Sequence, residues 1–501
     1  MSKCHLLTLL MSPRGAAAGV CRRLGALMTV TRRHVIARFG AALVVSVGVT
    51  LLASCGLLPP APPDANPPIV FVHGNGDTAA LWMTTIWRFE SNGWPRDRLH
   101  AIDFPYPLAR DVDATPQAGR SSADEQLRYL SDEVDRVLKA TGATKVVLMG
   151  NSRGGNAIRH YIQNGGGDKR VSHAILGGTP NHGVWADAAL RPGNEFNGAG
   201  SFLKALNAPK GPNGDEVTPG VRWLTLRSDN NDKFAQPDGV WIGSPGKPTH
   251  VSFDGPALKG ASNVVLPGRD HREVSYHSEA FEQAWRFITG RAPATAGYEG
   301  EVRVVLDGLV SGPGPNGPSN LALPGASVEV HAVDSGSGAR RGPPLLRKTI
   351  GADGRWGPLV TDARTPLEFV VSAPGLATLH SYRSPFPRSS SVVNLRAERF
   401  VEADSSAAAV VAFNRPRGYF GVPRDTVILD GQNPAPGIPS GVAGVASSKL
   451  RLSDGGAVPG LEPVVGRSVA GDYRSGVIQE RIVGRTWPAA QQHITILELR
   501  D

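Results

Sequence analysis

Lys145-Val146-Val147-Leu148-Met149-Gly150-Asn151-Ser152-Arg153-Gly154 holds a change of structural register within ten residues. Val146 to Met149 is apolar without alternation, as a strand buried on both faces of a parallel sheet requires. A helical pattern follows, with Ala157, Ile158, Tyr161 and Ile162 on one face. Between them lies G-x-S-x-G, Gly150 to Gly154. A serine at such a junction stands on a sharp elbow, its Oγ exposed and a helix N-terminus aimed at it. The bare pattern is weak: with 60 glycines in 501 residues, about half a match arises by chance. The strand before and the helix after carry the reading. Gly466-Arg467-Ser468 is partly similar but lacks the second glycine and that context.

Upstream, Ile69-Val70-Phe71-Val72 reads as another buried strand and ends in His73-Gly74-Asn75-Gly76-Asp77. Residues 121–141 read as an amphipathic helix. Ser122 and Glu125 form a capping box, Leu127, Leu130, Val134, Val137 and Leu138 line one face, and Gly142 terminates it. Downstream, strands are expected over residues 171–176, in Trp223-Leu224-Thr225-Leu226 and in Asn263-Val264-Val265-Leu266. A helix with Phe281, Trp285 and Ile288 on one face closes the series. Helices alternating with apolar strands argue for a parallel α/β sheet.

A nucleophilic serine needs a base and an orienting acid. In this kind of sheet they follow in the order Ser, acid, His. Three carboxylates compete just past the strand Trp223-Leu224-Thr225-Leu226: Asp232, then Asp229, then Asp238. His271, one short loop beyond the last strand, is the expected base, with His277 close behind. Two backbone N–H groups must face the developing oxyanion, and Arg153 and Asn75 are placed to supply them. His73 is expected to brace the loop that holds Asn75, and His182, in Asn181-His182-Gly183, to shape a loop near the cleft.

Composition bounds the rest. Apolar content of 41% and charged content of 19% describe a globular chain, and its length implies two or three domains. The net charge of +9 is concentrated in residues 1–55, where seven basic residues (Lys3, Arg14, Arg22, Arg23, Arg32, Arg33, Arg38) meet no acid; the remainder carries 9 − 7 = +2. So small an excess gives no reason to expect nucleic acid. The three cysteines, Cys4, Cys21 and Cys55, all precede the globular part, which therefore has no disulfide or cysteine metal cluster.

Arg32-Arg33 followed by the apolar residues 39–53 resembles a twin-arginine export signal, and Leu52-Ala53-Ser54-Cys55 resembles a bacterial lipobox. An exported protein, periplasmic or at the cell surface and attached to a membrane through lipidated Cys55, is the expectation; the alternative is an ordinary cleaved signal, with Cys55 without a role and the protein secreted. Met28 offers an alternative start. Residues 56–68, rich in proline, form an extended spacer.

Together, Phe71-Val72-His73-Gly74, the Ser152 elbow, Gly178-Thr179-Pro180-Asn181-His182-Gly183 and Asp270-His271 resemble bacterial lipases and esterases of the α/β-hydrolase superfamily over roughly residues 69–290. The resemblance implies the α/β-hydrolase fold, an ester or lipid substrate, no cofactor, and Asp232 as the acid. His73-Gly74-Asn75-Gly76-Asp77 is similar to the opening loop of an extracellular polyhydroxyalkanoate depolymerase. The chain departs from the common lipase elbow in carrying Asn151 before Ser152 and Arg153 after it, and Arg153 is expected to point out of the pocket. Gly290-Arg291-Ala292-Pro293-Ala294-Thr295 and Tyr382-Arg383-Ser384-Pro385-Phe386 look like an archaeal lipase with a C-terminal β-domain.

Residues 298–400 change to short alternating strands with Gly/Pro turns, which implies a β-sandwich, and residues 401–501 continue as a second β-rich region. Pro324-Gly325-Ala326 and Asp353-Gly354-Arg355 resemble turns of transthyretin-like or carboxypeptidase-regulatory-like modules. No catalytic constellation is visible there, and His331, His380 and His493 read as isolated structural residues. The expected domains are thus 1–55 export signal, 56–68 linker, 69–290 catalytic, then the two β regions. The expected activity is carboxylic-ester hydrolysis through an acyl-enzyme. A polyhydroxyalkanoate depolymerase and a non-catalytic lipoprotein that binds lipid or polymer are the alternatives.

Overall fold

The computed structural model describes residues 66–453 and 464–500. The export segment with Cys55, and nearly all of the proline spacer, lie outside the described residues.

Six parallel strands form the first sheet, in the order β2-β1-β3-β4-β5-β6. They are β1 (Ile69–Val72), β2 (Leu99–Ile102), β3 (Val146–Asn151), β4 (Val171–Gly177), β5 (Arg222–Ser228) and β6 (Ser262–Leu266). The helices are α1 (Met83–Ser91), α2 (Ala123–Thr141), α3 (Arg153–Asn164), α4 (Ser201–Leu206), α5 (Glu273–Tyr276) and α6 (Ser278–Thr289). Alternation in β1 shows how the layers form. Ile69 and Phe71 pack on one face with Phe89 of α1 and Phe281 and Trp285 of α6. Val70 and Val72 pack on the other with α2 and α3. Phe89 meets Phe281 edge to face at 5.1 Å, and each such buried ring stabilises the layer by roughly 1.5–3 kcal/mol.

Helix α2 starts where the capping box places it. Ser122 Oγ accepts the Glu125 N–H at 3.2 Å, and Glu125 accepts the Ser122 N–H at 2.8 Å. It ends at Gly142, whose φ of 67° is left-handed. Helix α1 and strand β2 have no counterpart in the sequence reading. Both are short, and α1 spreads its apolar side chains over two cores: Trp87 and Met83 leave the first sheet and enter the β region.

That region begins with β7 (Arg303–Leu306), β8 (Val310–Gly314), β9 (Gly317–Ala322), β10 (Ser327–Ala332), β11 (Leu346–Thr349), β12 (Leu359–Asp362), β13 (Leu367–Ser372), β14 (Thr378–Arg383) and β15 (Leu395–Arg396). It continues with β16 (Ala409–Asn414), β17 (Thr426–Leu429), β18 (Ser447–Leu452), β19 (Ser468–Ser475), β20 (Ile478–Arg485) and β21 (His493–Glu498). One seven-stranded sheet, β11-β10-β13-β14-β21-β16-β18, crosses residue 400, because β21 and β16 extend the sheet begun by β14. Val328, Val330 and Phe369 of this sheet face Val304, Leu306 and Val310 across a first core. Phe413, Val427, Val469 and Tyr473 form a second.

Two histidines read as isolated are in contact. His380 Nδ1 pairs with Glu368 at 2.8 Å, its Nε2 meets His493 Nδ1 at 2.7 Å, and Trp487 stacks on its face at 3.9 Å. Neighbouring β14 and β21 bring them together, a pairing that spacing along the chain does not reveal. His331 pairs with Glu329 at 3.0 Å.

Candidate active site

Ser152 sits between β3 and α3 with φ 52° and ψ −123°, a left-handed φ that a side chain rarely adopts. Close packing holds it there. A Cβ on Gly154 would lie 2.5 Å from the Val72 carbonyl oxygen and 2.6 Å from that of His73, and one on Gly150 would meet Ile158 at 2.6 Å. Only glycines let strand and helix approach this closely. Ser152 makes no side-chain cap to α3, so its hydroxyl is left for other work.

The hydroxyl faces a cavity of about 290 Å³. Its wall includes Asn75, Ser152 and His271, with Trp185, Phe196, Phe234, Trp241 and Tyr419 as apolar surfaces and Arg110, Arg120 and Arg191 as cations. His271 is buried; its Nδ1 lies 2.8 Å from Asp232 Oδ2. Asp232 Oδ1 accepts the Phe234 N–H at 2.8 Å, which fixes the carboxylate plane. His271 Nε2 has no hydrogen-bond partner, Ser152 included. A nucleophile–base hydrogen bond of this kind often tightens only in the complex with substrate. Phe234 contacts the imidazole edge to face at 4.6 Å.

The competing residues are occupied elsewhere. Asp229 accepts from the Gly268 amide at 3.0 Å and from the Asn231 side chain at 2.8 Å, which hold its carboxyl below the usual range. Asp238 is exposed and accepts from the Val240 amide. His277 caps α6, its Nδ1 accepting the Glu279 N–H at 3.3 Å. Its pKa is lowered to about 4, first by burial and then by Arg269. His73 is buried against its own loop: Nε2 accepts the Phe104 N–H at 3.0 Å and Nδ1 contacts the Gly74 carbonyl at 2.8 Å. His182 pairs with Glu216 at 3.0 Å, on a second cavity of about 450 Å³ that shares His271 and Phe234 with the first.

Asn75 lines the cavity while its side-chain oxygen accepts the Ala109 N–H at 2.8 Å. Arg153 opens α3, so its amide is among those with no partner inside the helix. Its side chain is fully buried away from the cavity, paired with Glu195 and donating to Ser121 Oγ at 2.9 Å and the Ser121 carbonyl at 2.6 Å. It therefore ties together two segments, around residues 107–121 and around Glu195, that both contribute to the cavity wall. Burial lifts the Glu195 carboxyl to about 7, and Arg153 offsets only part of that.

Two further groups have roles that the sequence did not reveal. Asn151 Nδ2 donates to Ser275 Oγ at 2.8 Å and to the His271 carbonyl at 3.1 Å, so the unusual elbow residue ties the nucleophile turn to the base loop. Asp270 and Glu273, on either side of His271, are paired with Arg415 and Arg424. Burial pushes Glu273 up, but those two guanidinium groups outweigh it and hold the carboxyl at about 2. Only chain folding brings residues so far apart together, and no local motif signals it. Among the described residues no group of three or more His, Cys, Asp or Glu is arranged to hold a metal ion.

Residues 67–237 match the family described as the alpha/beta hydrolase fold, and residues 302–400 match the lipase C-terminal domain. Among solved structures, Bacillus licheniformis lipase BlEst2 in its propeptide form is similar at 16% identity, over 85% of this chain and 94% of that one, with a TM-score of 0.33. The mature form of the same lipase is similar at 21% identity over 46% and 93%, with a TM-score of 0.30. Legionella pneumophila phospholipase PlaB is similar at 12% identity over 67% and 95%, with a TM-score of 0.31. The fold assignment rests on the two family matches and the strand order, not on these distant likenesses.

Proposed function

We propose that this chain, whose residues 67–237 match the alpha/beta hydrolase fold and whose residues 302–400 match the lipase C-terminal domain, is a serine carboxylic-ester hydrolase. Ser152 Oγ attacks the acyl carbonyl while His271 Nε2 accepts its proton. The imidazolium returns that proton to the departing alkoxide, leaving an acyl-enzyme. Water then attacks the acyl carbon as it gives a proton to the same nitrogen, and the bond to Oγ breaks as the imidazolium returns that proton to Ser152, releasing the acid. Asp232 keeps Nδ1 protonated, so that Nε2 is the basic nitrogen, and stabilises the imidazolium. The backbone amides of Asn75 and Arg153 receive the oxyanion.

One observation carries this reading: a strained serine at a strand–helix elbow shares a cavity wall with a buried imidazole whose Nδ1 is engaged by a carboxylate and whose Nε2 is unpartnered. The cavity, about 290 Å³ and walled by aromatic rings, lies at the small end of ligand sites and supports a compact acyl group. The paired arginines and Cys55 support export and lipid attachment, a proposal that mass spectrometry of the membrane fraction tests directly.

Purified protein is assayed on a p-nitrophenyl ester series beside Ser152→Ala. The butyrate is expected to turn over faster than the palmitate, and Ser152→Ala to lose about 10⁴-fold or more in kcat. Equal turnover by both proteins, or none by either, rejects the hydrolase. Clearing of polyhydroxyalkanoate granules rather than soluble esters assigns the polymer instead.

A further inference from the structure

The acid and the base of the site both stand on loops, and loops position side chains less well than helices or strands unless something braces them. Here the brace comes from the far end of the chain. Arg415 follows β16 directly; its guanidinium donates to Asp270 at 3.0 Å and to Glu273 at 2.5 Å, and all three side chains are buried. Arg424 adds a bond to Glu273 at 2.9 Å. The Tyr419 amide donates to Asp270 Oδ2 at 2.8 Å, and Arg272 donates back to the Pro416 carbonyl at 3.2 Å. Every residue from 270 to 273 except His271 itself is therefore bonded to residues 415–424.

The acid loop is gripped from the same side. Lys233, next to Asp232, donates to the Gly444 carbonyl at 2.8 Å and lies 3.8 Å from the centre of the Tyr419 ring. Trp241 packs so closely on Gly444 that a Cβ there would lie 1.7 Å from its ring. Tyr419 then reaches the cavity wall between the two loops.

Resting on the hydrolase reading above, we propose that residues 415–424 and Gly444 of the C-terminal β region are the positioning element that holds Asp232 and His271 in proton-transfer register. A buried carboxylate pair needs a fixed counter-charge. The pair at 270 and 273 thus pins the base to whatever carries Arg415 and Arg424. A module that merely spaced or solubilised the enzyme would have no need to place its most buried arginine, or a backbone amide, on the residue beside the base.

The test uses the full chain and a short p-nitrophenyl ester. Arg415→Met and Lys233→Met are each expected to lower kcat by about 10- to 100-fold with KM unchanged, because register rather than substrate contact is lost. Arg415→Lys and Lys233→Arg restore part of kcat. Arg340→Met serves as control: it cuts an ion pair to Glu368 in the same large sheet, away from the loops, and keeps wild-type kcat. Circular dichroism and thermal midpoints confirm folding, and if Arg415→Met does not fold, Lys233→Met decides alone. Folded variants with wild-type kcat, or with a raised KM alone, overturn the proposal while the hydrolase stands. A wild type inactive on every ester removes the hydrolase reading and this inference with it.

Discussion

At Ser152 the backbone is held in a conformation that costs of the order of 1–3 kcal/mol and persists only because its surroundings over-determine it. Gly154 is the least yielding of those surroundings, since the atoms a Cβ would strike are backbone carbonyls of β1 and its following turn, which cannot rotate aside as the side chains facing Gly155 and Gly177 can. Gly154→Ala is therefore expected to destabilise the protein by about 1–3 kcal/mol and to depress turnover further than that loss explains, because the elbow itself moves. A urea denaturation midpoint beside a kcat measurement checks both; wild-type stability and rate together would show that the elbow has room to spare. The elbow was legible because its signal is local. The ranking of Asp232 over Asp229 and Asp238 rested on a resemblance, since three carboxylates on one loop look alike until folding sets Asp232 against His271 Nδ1 and gives Asp229 the Gly268 amide and Asp238 the Val240 amide. Asn151 was noted as a departure from a pattern, and its bonds to Ser275 and His271 give that departure a purpose.

At the scale of elements, long periodic segments read well and short ones did not. The capping box and left-handed Gly142 marked both ends of α2, whereas α1 and β2 offered too few residues for a period to show. Helix α6 carries a titration that the sequence only hinted at. His277 caps it as a neutral acceptor, with its pKa lowered to about 4 from an ordinary 6.5. A group whose folded pKa is depressed contributes stability that is present above its unfolded pKa and lost as pH falls through the folded value. The thermal midpoint should thus fall as pH drops from 6.5 towards 4. His277→Asn, which keeps a capping acceptor without a titrating ring, should flatten part of that fall, the remainder including His173, also lowered to about 4 by burial and Arg222. An unchanged slope in His277→Asn contradicts the assignment.

Across the whole molecule, the sequence divided the β region at residue 400, where the lipase C-terminal domain match also ends, yet one sheet joins the two parts: β21 lies between β14 and β16. Strand order is set by long-range pairing, which alternation along a strand cannot reveal. The same long-range closure carries Arg415 and Tyr419 to the base loop and Trp87 of α1 into the first β core, where its indole N–H donates to the Ser389 carbonyl at 2.9 Å. The α/β core and its nucleophile were thus readable from one stretch of chain, while the support of the site depends on pairings spread over most of it. Underneath stands one claim, that this assembly activates the hydroxyl of Ser152. Treating the full-length protein with a fluorophosphonate and mapping the adduct by mass spectrometry tests it most directly. A single adduct on Ser152, formed much more slowly in His271→Ala, is the predicted result; no adduct, or one on a different serine, would contradict it.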